Sequence, residues 1–436
     1  MARSILFDRH DLALRMGTGI ATYARCLAAA ARNAGYGIDA LASGAVKPNR
    51  RAPILSEVEL FEGRPQPSAL LGNPAILHGI CRMPFGVRPD PLMRTGIVLD
   101  RQPSAIRFDR IWIARHLFVG AQAHYRVYGR RARVTLPALP ALFHATQPLP
   151  LVVKGCPNIV TIHDLVPLRM PYFTLDNKRA VFNLLRELCH DADHIVTVSE
   201  CSRQDIVRFF GVPESRISNI WQASSLPPAL LAQPEEDAAR DVAHLFGLDP
   251  GGYFLYFGAL EPKKNVARLI DAYAASGSTR PLVIAGGEGW QNESEHKRIN
   301  DPRFVSYRIT GDTIMRHSRV RRIEYLPLEQ LIPLIRSARA LLFPSLYEGF
   351  GLPVLEAMTL GTPVMTSTVS SLPEIAGDAA LCVDPYDVAA MAEAIRALDA
   401  DSDLCAELAR RGRERAAFFS MERYTERLAA LYDRVL

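Results

Sequence analysis

Residues 340–367, ALLFPSLYEGFGLPVLEAMTLGTPVMTS, run from one apolar stretch through a glycine-rich loop to another. ALLFPS (340–345) reads as a buried parallel strand closed by polar residues, and LYEGFG (346–351) as the loop that follows it. Pro353 suits the first helical position of PVLEAMTLG (353–361), Gly361 suits its end, and PVMTS (363–367) reads as the next strand. Strand, loop, helix and strand make one βαβ unit, whose strand carboxyl end is where ligands bind. Two acids sit there, Glu348 before the helix and Glu356 in its first turn. The backbone N–H groups around Gly351–Val354 form a positive helix terminus suited to a phosphate. Carboxylates repel phosphate but accept well from vicinal hydroxyls. Two diols with a diphosphate between them describe a nucleotide sugar. A bare E-x7-E arises by chance; strand, glycine loop, proline and helix in this order favour the site.

The same rhythm extends on both sides. YFLYFG (253–258), PLVIAGG (281–287) and AALCVD (379–384) read as strands, and NVARLIDAYAAS, EQLIPLIRSA and DVAAMAEAIRALDAD as helices. A second α/β series occupies the first half. RSILF, IDALAS, ALFHAT, NIVTIHD and HIVTVSE are strand-like, ATYARCLAAAARNAG and LDNKRAVFNLLRELCHDA helix-like. With 436 residues, two doubly wound domains are expected. The boundaries predicted are 1–225 for the first, 226–250 for a proline-rich, acidic linker region, 251–415 for the second, and 416–436 for a closing helix. Facing each other, such domains leave a cleft where the carboxyl ends of both sheets meet. Residues 45–135 are irregular, although IRFDRIWIARHLFVGAQAHYRVYGRR (106–131) has helical character and mixes apolar, aromatic and basic residues. It suits either a membrane surface or its own domain.

Other strand ends carry polar clusters. GALEPKKN (258–265) places Lys263 and Lys264 where they could neutralise a diphosphate leaving group, although a surface lysine pair is the plainer reading of KK alone. His163 and Asp164 end NIVTIHD, where the histidine could bond a sugar hydroxyl, assist charge rearrangement at the anomeric carbon, or serve structure. MGTGIATY (16–23) lacks the third glycine of a dinucleotide fingerprint, which weakens a nicotinamide reading. Gly17 and Gly19 nonetheless let the backbone approach a phosphate. Asp191-Ala192-Asp193 resembles a metal-binding D-x-D but precedes a strand, so it reads as a helix-to-strand turn and no metal is assigned.

Composition narrows the class. Residues 1–135 carry 20 Lys and Arg against 9 Asp and Glu, while the remainder carries 31 against 37. A basic first half suits an anionic partner such as a membrane surface, a phosphorylated lipid or nucleic acid, or simply a solvated arginine-rich surface. Seven scattered cysteines without C-x-x-C argue against a disulfide framework or zinc site and fit a reducing compartment. The chain has no apolar run long enough to span a bilayer and no signal-peptide core, so a cytoplasmic location is expected.

EGFGLPVLEAMTLGTPVMTS with SSLPEIAGDAALCVDP resembles the E-x7-E region of glycosyltransferase family 4, a retaining group with the GT-B fold. YFLYFGALEPKKN, IVTIHDLVPL, IVTVSECSRQDI, GTGIATY and RGRERAAFFSMERY match that family in order, and the likeness is nearest to bacterial mannosyl- or rhamnosyltransferases of surface polysaccharide synthesis. The resemblance implies that Lys264 contacts the donor diphosphate and Glu348 the donor sugar hydroxyls. It places the backbone of Phe350, Gly351 and Leu352 at sugar and phosphate, Glu356 at the ribose diol, and His163 beside the transferred sugar, with Gly17 and Gly19 over the phosphates. No cofactor or metal is implied, since lysine and helix terminus replace the cation. Relatives often carry arginine where Ala259 and Lys263 stand, and tryptophan where Met421 stands. Lys263 replaces that arginine as a point charge, without its bidentate fork. The expectation is hexose transfer from a nucleoside diphosphate sugar, GDP-mannose or a close relative, to a polyprenyl-linked saccharide, with no nucleic-acid partner. With no carboxylate marked as nucleophile, same-face attack is favoured and the proton acceptor is unassigned. A phosphorylase, an epimerase or a non-catalytic binder are the rivals.

Overall fold

The computed structural model describes residues 3–13, 19–44, 48, 51–62, 74–98, 106–224, 226–310 and 313–436. Its contacts divide the chain into two compact units. One comprises Met1–Leu165, Asp176–Ala223 and Met421–Leu436, the other Val166–Leu175 and Ser224–Ser420.

An eight-stranded sheet forms the first unit. Its strands are β1 (Ser4–Asp8), β2 (Gly37–Gly44), β3 (Asp90–Pro91), β4 (Arg110–Arg115), β5 (Leu142–Ala145), β6 (Asn158–Thr161), β7 (His194–Thr197) and β8 (Ile217–Asn219). They run in the order β8-β7-β6-β5-β1-β2-β4-β3, parallel except where β3 meets β4. Phe7 pairs with His144, and His144 with Ile159, which sets the register of the three central strands. Helix α1 (Gly19–Asn33) buries Ala21, Ala24, Ala28 and Ala31 at helical spacing. The C-terminal helix Met421–Val435 packs on α1 and buries Tyr424, Leu428, Leu431 and Tyr432.

That helix anchors a buried polar chain. The Tyr432 hydroxyl lies 2.8 Å from His144 Nδ1, His144 Nε2 lies 2.9 Å from Thr161 Oγ1, and Thr161 Oγ1 lies 2.8 Å from the Tyr23 hydroxyl. Burial pushes the His144 imidazole down to about 3, so it is neutral in the fold and acid opposes it. Tyr432→Phe leaves an imidazole nitrogen unpartnered and is expected to cost about 1–2 kcal/mol in urea unfolding.

The second unit holds a six-stranded, fully parallel sheet: β9 (Phe254–Phe257), β10 (Leu282–Ala285), β11 (Val320–Ile323), β12 (Ala340–Phe343), β13 (Val364–Ser367) and β14 (Leu381–Val383), in the order β11-β10-β9-β12-β13-β14. Every residue of β9, β10, β12 and β13 is buried, as apolar runs covered on both faces must be.

Three segments differ from the sequence expectation. Within 106–131 the first part is strand β4, because Ile111, Trp112 and Ile113 are buried beside β2, and helix begins only at Leu117, after His116 in left-handed conformation. The linker stretch 226–250 holds helices Pro228–Leu231 and Glu235–Phe246, the latter burying Ala238 and Val242. Val166–Leu175 belongs to the second unit, since Val166 and Met170 bury against Leu346 and Tyr347.

Candidate active site

In the second unit the loop after β12 meets the turn after β9. Helix α2 (Leu352–Leu360) opens on Gly351, whose φ of 116° suits glycine, and closes on Gly361. Leu352 is the first helical residue and Pro353 the second, one position later than the sequence suggested. Val354 N–H donates to the Gly351 carbonyl and Pro353 has no N–H. The N–H groups of Phe350, Gly351 and Leu352 have no backbone acceptor among the described residues, so they present the positive helix end.

Glu348 is 7% exposed and tied to three neighbours. Lys264 Nζ donates to its Oε1 at 2.6 Å, Ser345 Oγ donates to the same oxygen at 2.6 Å, and its own N–H reaches Ser370 Oγ at 2.9 Å. Burial would raise its carboxyl, but Lys264 and Lys263 outweigh burial and hold it below the usual carboxylate range. A carboxylate so held is a poor base and a firm acceptor for hydroxyls. Lys264 also sits 5.2 Å from the centre of the Phe343 ring. Lys263 lies 3.7 Å from Glu261, and its carbonyl accepts from Leu346 N–H at 2.7 Å and Ser345 Oγ at 3.0 Å, tying the two loops together.

Glu356 differs in kind. It is half-buried and has no hydrogen-bond partner among the described residues, and desolvation pushes its carboxyl up to about 7. A partner that supplies hydroxyl donors favours the ionised form. If Glu356 grips a diol, affinity for a nucleotide sugar tightens by about tenfold from pH 6 to pH 8, readable by calorimetry because the diphosphate diester does not titrate there.

The lysines, the two glutamates and the backbone of Phe350, Gly351 and Leu352 thus gather in the second unit. His163 and Gly19 belong to the first, and Gly17 lies outside the described residues. Gly19 is exposed at the start of α1. His163 Nε2 donates to the Thr146 carbonyl at 2.9 Å, which fixes its tautomer, and Tyr23 of α1 meets it edge-on at 4.7 Å. Burial lowers its pKa and keeps the imidazole neutral. Asp191 and Asp193 flank the turn before β7; Asp191 pairs with Arg131 at 2.5 Å, and Asp193 accepts from Asn158 N–H at 2.7 Å.

Sequence reading missed the braces. Buried Asn265 donates to the carbonyls of Pro344 and Pro385 at 3.1 and 2.7 Å, and the Ser371 hydroxyl lies 2.9 and 2.7 Å from those of Glu348 and Phe350. Their only signal was position, Asn265 at the end of GALEPKKN and Ser371 at the end of TVSS.

Residues 248–415 match the family of glycosyl transferases group 1, and residues 95–221 match glycosyltransferase family 4. The chain is 36% identical over 281 residues to O-antigen chain mannosyltransferase B of Escherichia coli, covering 63% of this chain and 69% of that one. It belongs to glycosyltransferase family 4. Two solved structures share the glycosyltransferase's GT-B fold over 99% of this chain. Sucrose-phosphate synthase from Thermosynechococcus elongatus has a TM-score of 0.63 at 20% identity, with 98% of that chain covered. HepE from Anabaena, in complex with UDP and glucose, has 0.62 at 15%, with all of that chain covered. The glycosyltransferase transfers a sugar, and the rival readings as phosphorylase, epimerase or binder are not favoured.

Proposed function

We propose that this glycosyltransferase moves a mannose-like hexose, with retention, from a nucleoside diphosphate sugar to a hydroxyl of a saccharide or lipid-linked saccharide in surface polysaccharide synthesis. The observation that carries the donor reading is the Lys264–Glu348 pair at 2.6 Å beside the open N–H groups of α2. Lys264 and the helix end neutralise the diphosphate as it departs, so no metal or cofactor is needed. Glu348 accepts from hydroxyls of the donor sugar, and Glu356 accepts from the ribose diol. Because Glu348 is held ionised by two lysines, it positions sugar and does not take the proton. Departing phosphate takes the acceptor's proton during same-face attack.

Mannose, and GDP-mannose or a close relative as donor, draw support from the mannosyltransferase relative; a nucleotide sugar draws it from the UDP and glucose held by HepE. Peripheral attachment to the inner face of a membrane fits the basic first half and exposed apolar side chains such as Phe85, 90% exposed, near Arg82. Among the described residues no helix is long and apolar enough to cross a membrane.

A thermal-shift panel of GDP- and UDP-sugars on the wild type and Glu356→Ala tests the reading. One nucleotide sugar is expected to stabilise the wild type, with affinity about a hundredfold weaker in the variant. No stabilisation by any of them sinks the donor site; equal stabilisation of both proteins removes Glu356 from it.

A further inference from the structure

The flank of the first unit carries a groove of about 820 Å³ that the transfer chemistry does not use. It runs between the end of helix Leu117–Tyr128 and the length of helix Lys178–Asp191. The first of these helices follows β4 and the second precedes β7, so both end at the amino edge of the sheet. The groove therefore lies on the helical flank, and not over the carboxyl ends where such sheets bind their substrates.

Its charges are unevenly matched. Glu187 and Asp191 are both occupied: Arg131 reaches them at 2.9 and 2.5 Å, the Tyr125 hydroxyl bonds Glu187, and His190 Nδ1 lies 2.6 Å from Asp191 Oδ1. Arg126, Arg179 and Arg186 line the same groove, and none has a carboxylate partner among the described residues. Arg186 rests instead on the Phe182 ring, 5.7 Å from its centre. Arg179, Asn183, Arg186 and His190 recur at i, i+4, i+7 and i+11, along one helix face, with the two arginines about two turns or 10 Å apart. The helix is also charged against its own dipole. Its first turn carries Arg179 and no acid, whereas Glu187 and Asp191 stand towards its negative end. Arg131 offsets the mismatch at that end. At the first turn Arg179 is left without such a partner, and Asn177 caps only the Ala180 N–H.

An extended anion laid in the groove corrects that mismatch and meets all three guanidinium forks. Phosphate suits it best, because it takes arginine in bidentate fashion and is favoured at a helix start. We propose that the groove is a second anion site, in which Arg126, Arg179 and Arg186 hold a row of phosphate groups on the flank of the first unit. The phosphates come either from headgroups of an anionic bilayer or from a soluble polyphosphorylated molecule. The site goes beyond the donor and acceptor readings given above and rests on neither.

Two probes test it on the full chain at physiological salt, where weak surface attraction is screened. Calorimetry uses inorganic tripolyphosphate, and flotation compares phosphatidylglycerol-containing vesicles with phosphatidylcholine alone. The wild type is expected to bind at least one anionic probe. Arg186→Gln weakens that binding about tenfold, and the double variant Arg126→Gln with Arg179→Gln about a hundredfold. Lys263 and Lys264 are intact in both, so tripolyphosphate held at the donor site is common to all samples and the difference reports the groove. Both variants keep the full thermal shift with nucleotide sugar. Arg179→Gln keeps or exceeds the wild-type melting temperature, because it removes a cation from a positive helix end, whereas loss of a merely structural arginine would lower it. Arg240→Gln, on helix Glu235–Phe246 of the second unit, removes the same charge as Arg186→Gln and leaves binding unchanged. Vesicle binding lost with the arginines assigns the groove to lipid headgroups; vesicle binding retained while tripolyphosphate is lost assigns it to a soluble ligand. The site is overturned if the wild type binds neither probe, if the double variant binds as the wild type does, or if Arg240→Gln weakens binding as much as Arg186→Gln.

Discussion

Lys264→Ala is expected to slow nucleotide release from the donor sugar by about a thousandfold and to destabilise the second unit as well. Both effects follow from one ammonium group. Its Nζ is 2.6 Å from Glu348 Oε1, and both side chains are largely buried, at 13% and 10% exposure. Removing it leaves a buried carboxylate whose charge is no longer matched, which costs roughly 3–5 kcal/mol unless the carboxyl takes up a proton. The paired Glu348 stabilises the fold above the normal carboxylate pKa, and that stability is lost as pH falls through its lowered folded value. In Lys264→Ala this acid transition moves to higher pH, because burial then acts on Glu348 with less opposition. A double variant, Lys264→Ala with Glu348→Gln, separates the two roles. It should recover most of the stability in urea unfolding and none of the rate. Lys264→Arg keeps the charge, but a planar fork fits a point contact poorly, so a loss of roughly ten- to a hundredfold is expected. Wild-type rate in Lys264→Ala would remove the lysine from the chemistry.

How far the sequence could be read follows from which physical signals are local. Strands β9, β10, β12 and β13 were legible because a strand buried on both faces must be an unbroken apolar run. Helix α2 was legible because proline and glycine mark its two ends. The E-x7-E reading put Glu348 before the helix, where the structure has it, but Glu356 falls beyond the first turn, because the helix already begins at Leu352. Strand β4 was not legible, since RIWIAR is flanked by aromatic and basic residues that imitate an amphipathic helix; burial against β2 decides it. The antiparallel hairpin of Val305–Thr310 and Thr313–Ser318 gave no strong alternation and was missed. Asn265, Ser345 and Ser371 brace the site through backbone carbonyls distant in the chain, and no periodicity reports such contacts. The two glutamates look alike in sequence, yet one is ion-paired and lowered while the other has no partner among the described residues and is raised. That difference comes from neighbours eighty residues away, in the turn after β9.

The same turn depends on a backbone contact that sequence could not reveal. Gly286, just after β10, has a φ of 151°, and a Cβ placed on it would lie 2.0 Å from the Gly258 carbonyl oxygen and 2.7 Å from its carbon. These are main-chain atoms, fixed because Gly258 N–H bonds to the Ala285 carbonyl and Gly286 N–H to the Ile323 carbonyl. No rotamer change relieves the clash; strands β9 and β10 must part at their carboxyl ends. Gly286→Ala is therefore expected to lose about 4 kcal/mol or more in urea unfolding, with strain and lost ladder bonds both contributing. Gly277 is the control. It caps helix Val266–Ser276 at a φ of 73°, and a methyl group added there would meet nothing within 4 Å, so Gly277→Ala should lose only about 1 kcal/mol. Because Gly258 leads directly into the turn that carries Lys263 and Lys264, whatever Gly286→Ala protein remains folded should also bind nucleotide sugar more weakly. Equal losses in the two glycine variants would mean that the strand ends yield, and that the placement of Lys264 does not depend on their close approach.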